Sequence, residues 1–119
     1  MNFTTEKAIY VQIADRLCDE ILTGKFVDDE RIPSVREYAV LLEVNTNTAV
    51  KSYDLLEQQG VIYKKRGLGY FVTAGAKQRI LGERRKEFME VRLPEMFRQM
   101  KMLGIGIGEV DEAWKRDGE

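Results

Sequence analysis

Apolar residues recur every three or four positions up to Gly60 and every second position just after it, a switch that restricts the chain to helices followed at once by a β-hairpin. Ile9, Ile13, Leu17 and Ile21 mark a helix over 9–23, with Asp15, Arg16, Asp19 and Glu20 largely on its other faces and Gly24 as its stop. Residues 25–33 connect, with Arg31-Ile32 as a short strand. Ser34 and Glu37, three apart, form a capping box that starts a second helix, with Val35, Ala39 and Leu42 as its buried stripe. Asn45, or alternatively Thr46, caps a third helix whose apolar face is Ala49, Tyr53 and Leu56 and whose end is Gly60. Strands are expected at 61–64 and 70–73, around a tip of Lys65-Arg66-Gly67-Leu68-Gly69 whose two glycines suit a tight turn.

Two helices with a short turn between them, followed by a basic hairpin, make a winged helix-turn-helix, expected over residues 1–75. The composition changes at Ala74-Gly75-Ala76, read as a hinge into a helical region over 76–119. There, residues 77–92 are highly charged and helical in pattern. Met89, Leu93, Met96, Met100 and Leu103 continue at alternating spacings of four and three, a seam suited to pairing helices. Pro94 should kink that helix or begin a new one, Gly104 closes the segment, and a last helix near 108–117 carries Ile107, Val110 and Trp114 on one side. The class is mainly α with a small β-hairpin.

The content of 44% hydrophobic and 33% charged residues is that of a soluble globular protein, and no apolar run approaches a membrane span or a signal-peptide core, so the cytoplasm is expected. With no histidine and a single cysteine, Cys18, the usual zinc sites, an internal disulfide and histidine-based catalysis are excluded; no cofactor or metal is expected. The net charge of −1 does not by itself suggest nucleic acid. Its distribution does: Lys51, Lys64, Lys65 and Arg66 outnumber Asp54 and Glu57 over 45–73.

Reading a duplex takes an element that fits the major groove with short polar side chains at its leading end. Asn45, Thr46, Asn47 and Thr48 supply four in a row, more than a helix cap needs. Arg36 lies in the first turn of the second helix, where the helix dipole disfavours a cation unless an external anion such as a phosphate is present; pairing with Glu37 or Glu43 is the alternative. Lys51 suits a second phosphate, and the wing residues Arg66 and Gly67, with Lys65 beside them, suit the minor groove. A lone tail does not shelter Met89, Leu93, Met96, Phe97, Met100, Leu103 and Trp114, so a homodimer through these residues is expected. Folding of the tail back onto its own winged domain is the alternative.

Ile9-Tyr10-Val11-Gln12-Ile13-Ala14-Asp15, Ile32-Pro33-Ser34-Val35-Arg36-Glu37, Asn45-Thr46-Asn47-Thr48 and Arg66-Gly67-Leu68-Gly69-Tyr70-Phe71-Val72 resemble the GntR family of bacterial transcription regulators over about residues 8 to 75. The short helical tail is similar to that of the YtrA-like subgroup. The resemblance implies a repressor-like homodimer on a palindromic operator, with DNA contacts at Ser34 and Arg36 of the Pro-Ser-x-Arg motif, at Asn45, Thr46, Asn47 and Thr48, and at Arg66 and Gly67. Three positions depart from the pattern. Asp28-Asp29-Glu30 stands where many relatives have Pro-Gly-Asp, Glu43 stands where the turn often carries glycine, and Val50 stands where other subgroups have an arginine that Lys51 replaces. A protein-interaction module would need acidic or bulky residues at the front of the third helix, and Asp54 and Glu57 come late in it. An enzyme would need a catalytic constellation that the chain lacks. A small-molecule effector is left open, with the seam near Phe97 and Trp114 as its place if there is one.

Overall fold

The computed structural model describes residue 3 and residues 7–118; residues 1, 2, 4–6 and 119, at the extremes of the two expected domains, lie outside the described residues. Helix α1 (Ile9–Leu22) buries Ile13, Ala14, Leu17, Cys18 and Ile21, while Ile9, the first residue of the expected stripe, faces water. Helix α2 (Val35–Leu42) starts at Ser34 with both halves of the capping box formed. It stops at Glu43, whose φ of 57° and ψ of 47° are left-handed. Helix α3 (Thr46–Gln58) is capped by Asn45 rather than Thr46, and presents Ala49, Ser52, Tyr53 and Leu56 to the interior.

Strands β1 (Ile62–Lys65) and β2 (Gly69–Val72) are antiparallel, with Ile62 opposite Val72 and Lys65 opposite Gly69. Both differ by one residue from the expected limits, for a hydrogen-bonding reason. The Val61 N–H donates to the Leu56 carbonyl (2.9 Å), closing the end of α3, so Val61 meets Thr73 through its carbonyl alone (Thr73 N–H to Val61 O, 2.9 Å) and the named strand begins at Ile62. At the other end Lys65 belongs to the strand, leaving Arg66, Gly67 and Leu68 as the tip. The segment before α2 runs along the other edge of β2: Val72 N–H donates to Glu30 O (3.0 Å) and Ile32 N–H to Tyr70 O (3.0 Å), with Arg31 bridged to Phe71. The short strand expected at Arg31-Ile32 is thus a single bridge.

Ile13, Leu17, Ile32, Leu56, Ile62 and Val72 are fully buried around Tyr38 and Tyr53. Each aliphatic side chain so removed from water contributes about 1.5–3 kcal/mol. Ala76 and Ile80 of helix α4 (Ala76–Glu87) belong to the same core. The residues read as a hinge therefore lead directly into a packed helix, and the two compact units are Met1–Leu81 and Gly82–Glu119, a later division than the one expected after residue 75. Within the first unit Arg79 lies over Gly60, and its Nη1 donates to the Gln59 carbonyl (3.4 Å) at the C-terminal end of α3, where a cation is favoured.

The second unit continues α4 into a wider, π-helical turn over Phe88–Arg92, then helix α5 (Leu93–Leu103) and helix α6 (Ile107–Arg116). The charged helix expected to run to residue 92 changes type because Pro94 has no N–H to give the preceding turn; the Leu93 N–H instead reaches the Phe88 carbonyl, and Pro94 sits in the first turn of α5. Gly104, with φ of 70°, ends α5 as expected. The Gly106 N–H donates to the Glu109 carboxylate (3.3 Å) at the start of α6.

Candidate nucleic-acid interface

The interface is built from the three starts that the first unit presents to solvent: that of α3, that of α2 and the wing. At α3, the Asn45 Oδ1 accepts the Asn47 N–H at 2.7 Å, which fixes the first turn and leaves the Thr46 and Asn47 side chains exposed. Thr48 is half-buried. One turn on, Val50 and Lys51 are exposed, on the side away from Ala49, Ser52 and Tyr53. The four consecutive polar residues thus divide into a cap (Asn45), two outward side chains and one at the margin of the core.

At α2, the Ser34 Oγ accepts the Glu37 N–H (3.1 Å) and the Ser34 N–H donates to Glu37 Oε1 (2.9 Å). The backbone hydrogen bond from Ser34, then its hydroxyl, hold the Glu37 carboxyl below the usual carboxylate range, with a smaller contribution from the charge of Arg31. Glu37 is therefore committed to the cap, and Arg36 is exposed and forms no ion pair among the described residues.

On the wing, the Leu68 N–H donates to Lys65 O (2.9 Å), and Gly67 takes a φ of 78° at the third residue of this turn, where a side chain is disfavoured. Arg66 and Leu68 flank it, both exposed. Lys65, expected at the tip, lies back over the hairpin with Nζ 4.8 Å from the Phe71 ring centroid. Phe71 in turn stacks on Tyr63 (5.7 Å).

Tyrosines lock the three starts together. The Tyr53 hydroxyl donates to the Pro33 carbonyl (2.6 Å), joining α3 to the residue before the α2 cap, and its ring meets Tyr70 of the wing edge-on at 5.1 Å. The Tyr38 hydroxyl donates to Glu20 on α1 (2.5 Å). Burial, foremost, pushes both phenols well above their ordinary value, and the Glu20 carboxylate adds to the effect. Ser52, fully buried, donates its Oγ–H toward Tyr10 O (2.7 Å) and Thr48 O (3.2 Å), binding α1 to α3. Sequence reasoning missed Ser52, although it occupies a stripe position beside Ala49, Tyr53 and Leu56, and a polar residue at a buried periodic position signals a long-range hydrogen bond.

The expected tail residues belong to the other unit. Met89, Met96, Phe97, Leu103 and Trp114 are exposed, Trp114 at 69% and Leu103 at 72%, while Leu93 is half-buried and Met100 buried. Among the described residues no group of three or more acidic, histidine or cysteine side chains is placed to hold a metal, and no helix is long and apolar enough to cross a membrane.

Residues 9–72 match the family described as bacterial regulatory proteins, gntR family. The chain is 33% identical over 114 residues to the HTH-type transcriptional regulator YhcF of Bacillus subtilis (strain 168), covering 96% of this chain and 93% of the relative. It is 29% identical over 104 residues to the HTH-type transcriptional repressor YtrA of the same organism, covering 87% of this chain and 79% of that one. Among solved structures, a GntR-family transcriptional regulator from Bacteroides thetaiotaomicron superposes with a TM-score of 0.81 at 49% identity, over 92% of this chain and 95% of that chain. The DNA-binding domain of AraR in complex with operator ORX1 superposes with a TM-score of 0.54 at 27% identity, over 60% of this chain and 93% of that one. The winged helix-turn-helix is thus held in common with proteins that regulate transcription rather than catalyse reactions, and the chain belongs to the GntR family of bacterial regulatory proteins as a DNA-binding transcriptional regulator.

Proposed function

We propose that the chain is a cytoplasmic repressor that binds a palindromic operator as a homodimer, with the winged unit reading DNA and the helical unit from residue 82 pairing the two copies. The observation that carries this is the apolar surface of the tail: Met89, Met96, Phe97, Leu103 and Trp114 all face solvent in the single chain. Large exposed apolar surfaces are uncommon on monomers and are stabilised by burial against a partner. A second copy supplies the same residues in return, and two winged units then meet two half-sites. In this reading Asn45, Thr46, Asn47 and Thr48 meet base edges and the adjoining backbone. Arg36, with Ser34 beside it, and Lys51 meet phosphates, while Arg66 and Gly67 enter the minor groove and Lys65 lies behind them on the stem of the wing. The operator complex of AraR and the repressor YtrA support this by similarity.

The test combines sedimentation with a mobility shift. A dimer that binds a two-half-site duplex far more tightly than one half-site is expected, its affinity falling about 10³-fold or more between 50 and 200 mM salt for ~6–10 phosphates. Arg36→Ala should weaken every duplex, whereas Asn47→Ala should change which sequence is preferred. A monomer, or retention of full affinity and preference by both variants, overturns the reading. Repression is tested separately, with a reporter placed behind the selected operator: expression must rise when the regulator is removed.

A further inference from the structure

We propose that Arg31 is a phosphate-contacting residue that holds the DNA backbone at the stem of the wing. The proposal deepens the operator-binding reading and rests on it.

The segment Asp29–Ile32 is fastened to β2 by its backbone, with Asp29 N–H donating to Val72 O at 2.8 Å and Ile32 N–H to Tyr70 O at 3.0 Å, and Arg31 is the residue bridged to Phe71. From there its side chain runs along β2 to Gly69: a Cβ at Gly69 would lie 3.1 Å from the Arg31 Nε and 3.7 Å from Nη2. Gly69 stands opposite Lys65 and Phe71 opposite Tyr63. Alternation along the strands therefore gathers Tyr63, Lys65, Gly69 and Phe71 on one face of the wing, and the Arg31 guanidinium lies against that face at Gly69, the residue opposite Lys65. Arg31 and Lys65 thus both belong to the stem of the wing, below the tip of Arg66, Gly67 and Leu68.

The nearby acids are already engaged. Asp29 Oδ1 accepts the Tyr63 hydroxyl (2.9 Å), and the Glu37 carboxylate accepts the Ser34 N–H (2.9 Å). Arg31 is exposed and forms no ion pair among the described residues. A guanidinium lying against the Gly69 position, with Glu37 near enough to feel its charge but no carboxylate of the described residues in an ion pair with it, presents a planar fork of donors suited to a phosphate. Along the chain it stands between the edge of β2 and the α2 cap, five residues before Arg36.

The experiment measures the affinity of the full chain for its selected operator and for a random duplex across a salt series, in the wild type, Arg31→Ala, Arg31→Gln and Arg31→Lys. Removing one phosphate contact lowers the slope of log K against log[salt] by about 0.9 per bound copy. The expected result is that loss in both Arg31→Ala and Arg31→Gln, an equal weakening on operator and random duplex, and a slope restored by Arg31→Lys. Arg31→Gln keeps the aliphatic stem and a polar group at the position of Nε without the charge, so a slope lost only in Arg31→Ala points to wing packing and overturns the assignment. So does an unchanged slope in both, or a loss confined to the operator. A wild type with no salt-dependent affinity for any duplex overturns the parent reading, whereas a wild-type slope that the variants leave intact overturns the Arg31 assignment alone.

Discussion

Glu43 takes a backbone conformation that glycine adopts freely and a residue with a Cβ resists, at a cost of about 1 kcal/mol. Its N–H still closes α2 onto the Val40 and Ala39 carbonyls, so the geometry is that of a helix-ending turn and only the side chain is at odds with it. Glu43→Gly should therefore raise stability by roughly 0.5–1 kcal/mol, seen as a higher urea midpoint with an unchanged m-value; a lower midpoint would mean that the carboxylate contributes something the backbone argument omits. Asp29, with a φ of 62°, is a different case, since its carboxylate accepts the Tyr63 hydroxyl and offsets the strain. The unusual backbone at 43 was legible through the family resemblance, because relatives often carry glycine in this turn. The hydrogen bonds of Tyr38, Tyr53 and Ser52 were not, because they join residues 18, 20 and 42 positions apart, and apolar spacing says nothing about which carbonyl a buried hydroxyl will meet.

Helix α2 has only eight residues, so its ends govern it. Ser34 satisfies the Glu37 N–H and Glu37 the Ser34 N–H; Ser34→Ala should cost about 1 kcal/mol and weaken DNA binding as well, because Arg36 sits in the turn that frays. Thermal unfolding and a mobility shift check the two effects, and a variant of unchanged stability would contradict them. The box was legible because three-residue spacing suffices to define it. Elements with buried faces were likewise found, to within a residue or two, by periodicity. The wider turn over Phe88–Arg92 was not: Phe88, Met89 and Val91 are all exposed, so no buried stripe recorded the change of helical type, and only Pro94 hinted at a break. Lys65 was misplaced at the tip because the hairpin register depends on which residue pairs with Gly69, which alternation alone leaves uncertain by one.

Across the molecule, the absence of histidine removes the side chain that ordinarily titrates near neutral pH, and the buried phenols set the alkaline limit. Tyr38 and Tyr53 both have pKa values raised by burial, so above about pH 10 the unfolded chain loses these protons first and binds fewer than the folded one. Stability contributed by the pair is present below pH 10 and lost as pH rises beyond it, by about 1.4 kcal/mol per pH unit for each tyrosine. Urea midpoints measured from pH 7 to 11 should fall steeply above pH 10, and Tyr38→Phe should remove about half of the added slope; a profile that Tyr38→Phe leaves unchanged would contradict the assignment. All five tyrosines precede residue 71, whereas the single tryptophan, Trp114, is in α6 with its indole largely in water. The regulator therefore carries two intrinsic fluorophores of different colour, one kind for each unit: phenol emission follows the winged unit, and under the proposed pairing a shift of the indole band to shorter wavelength would report cover over Trp114.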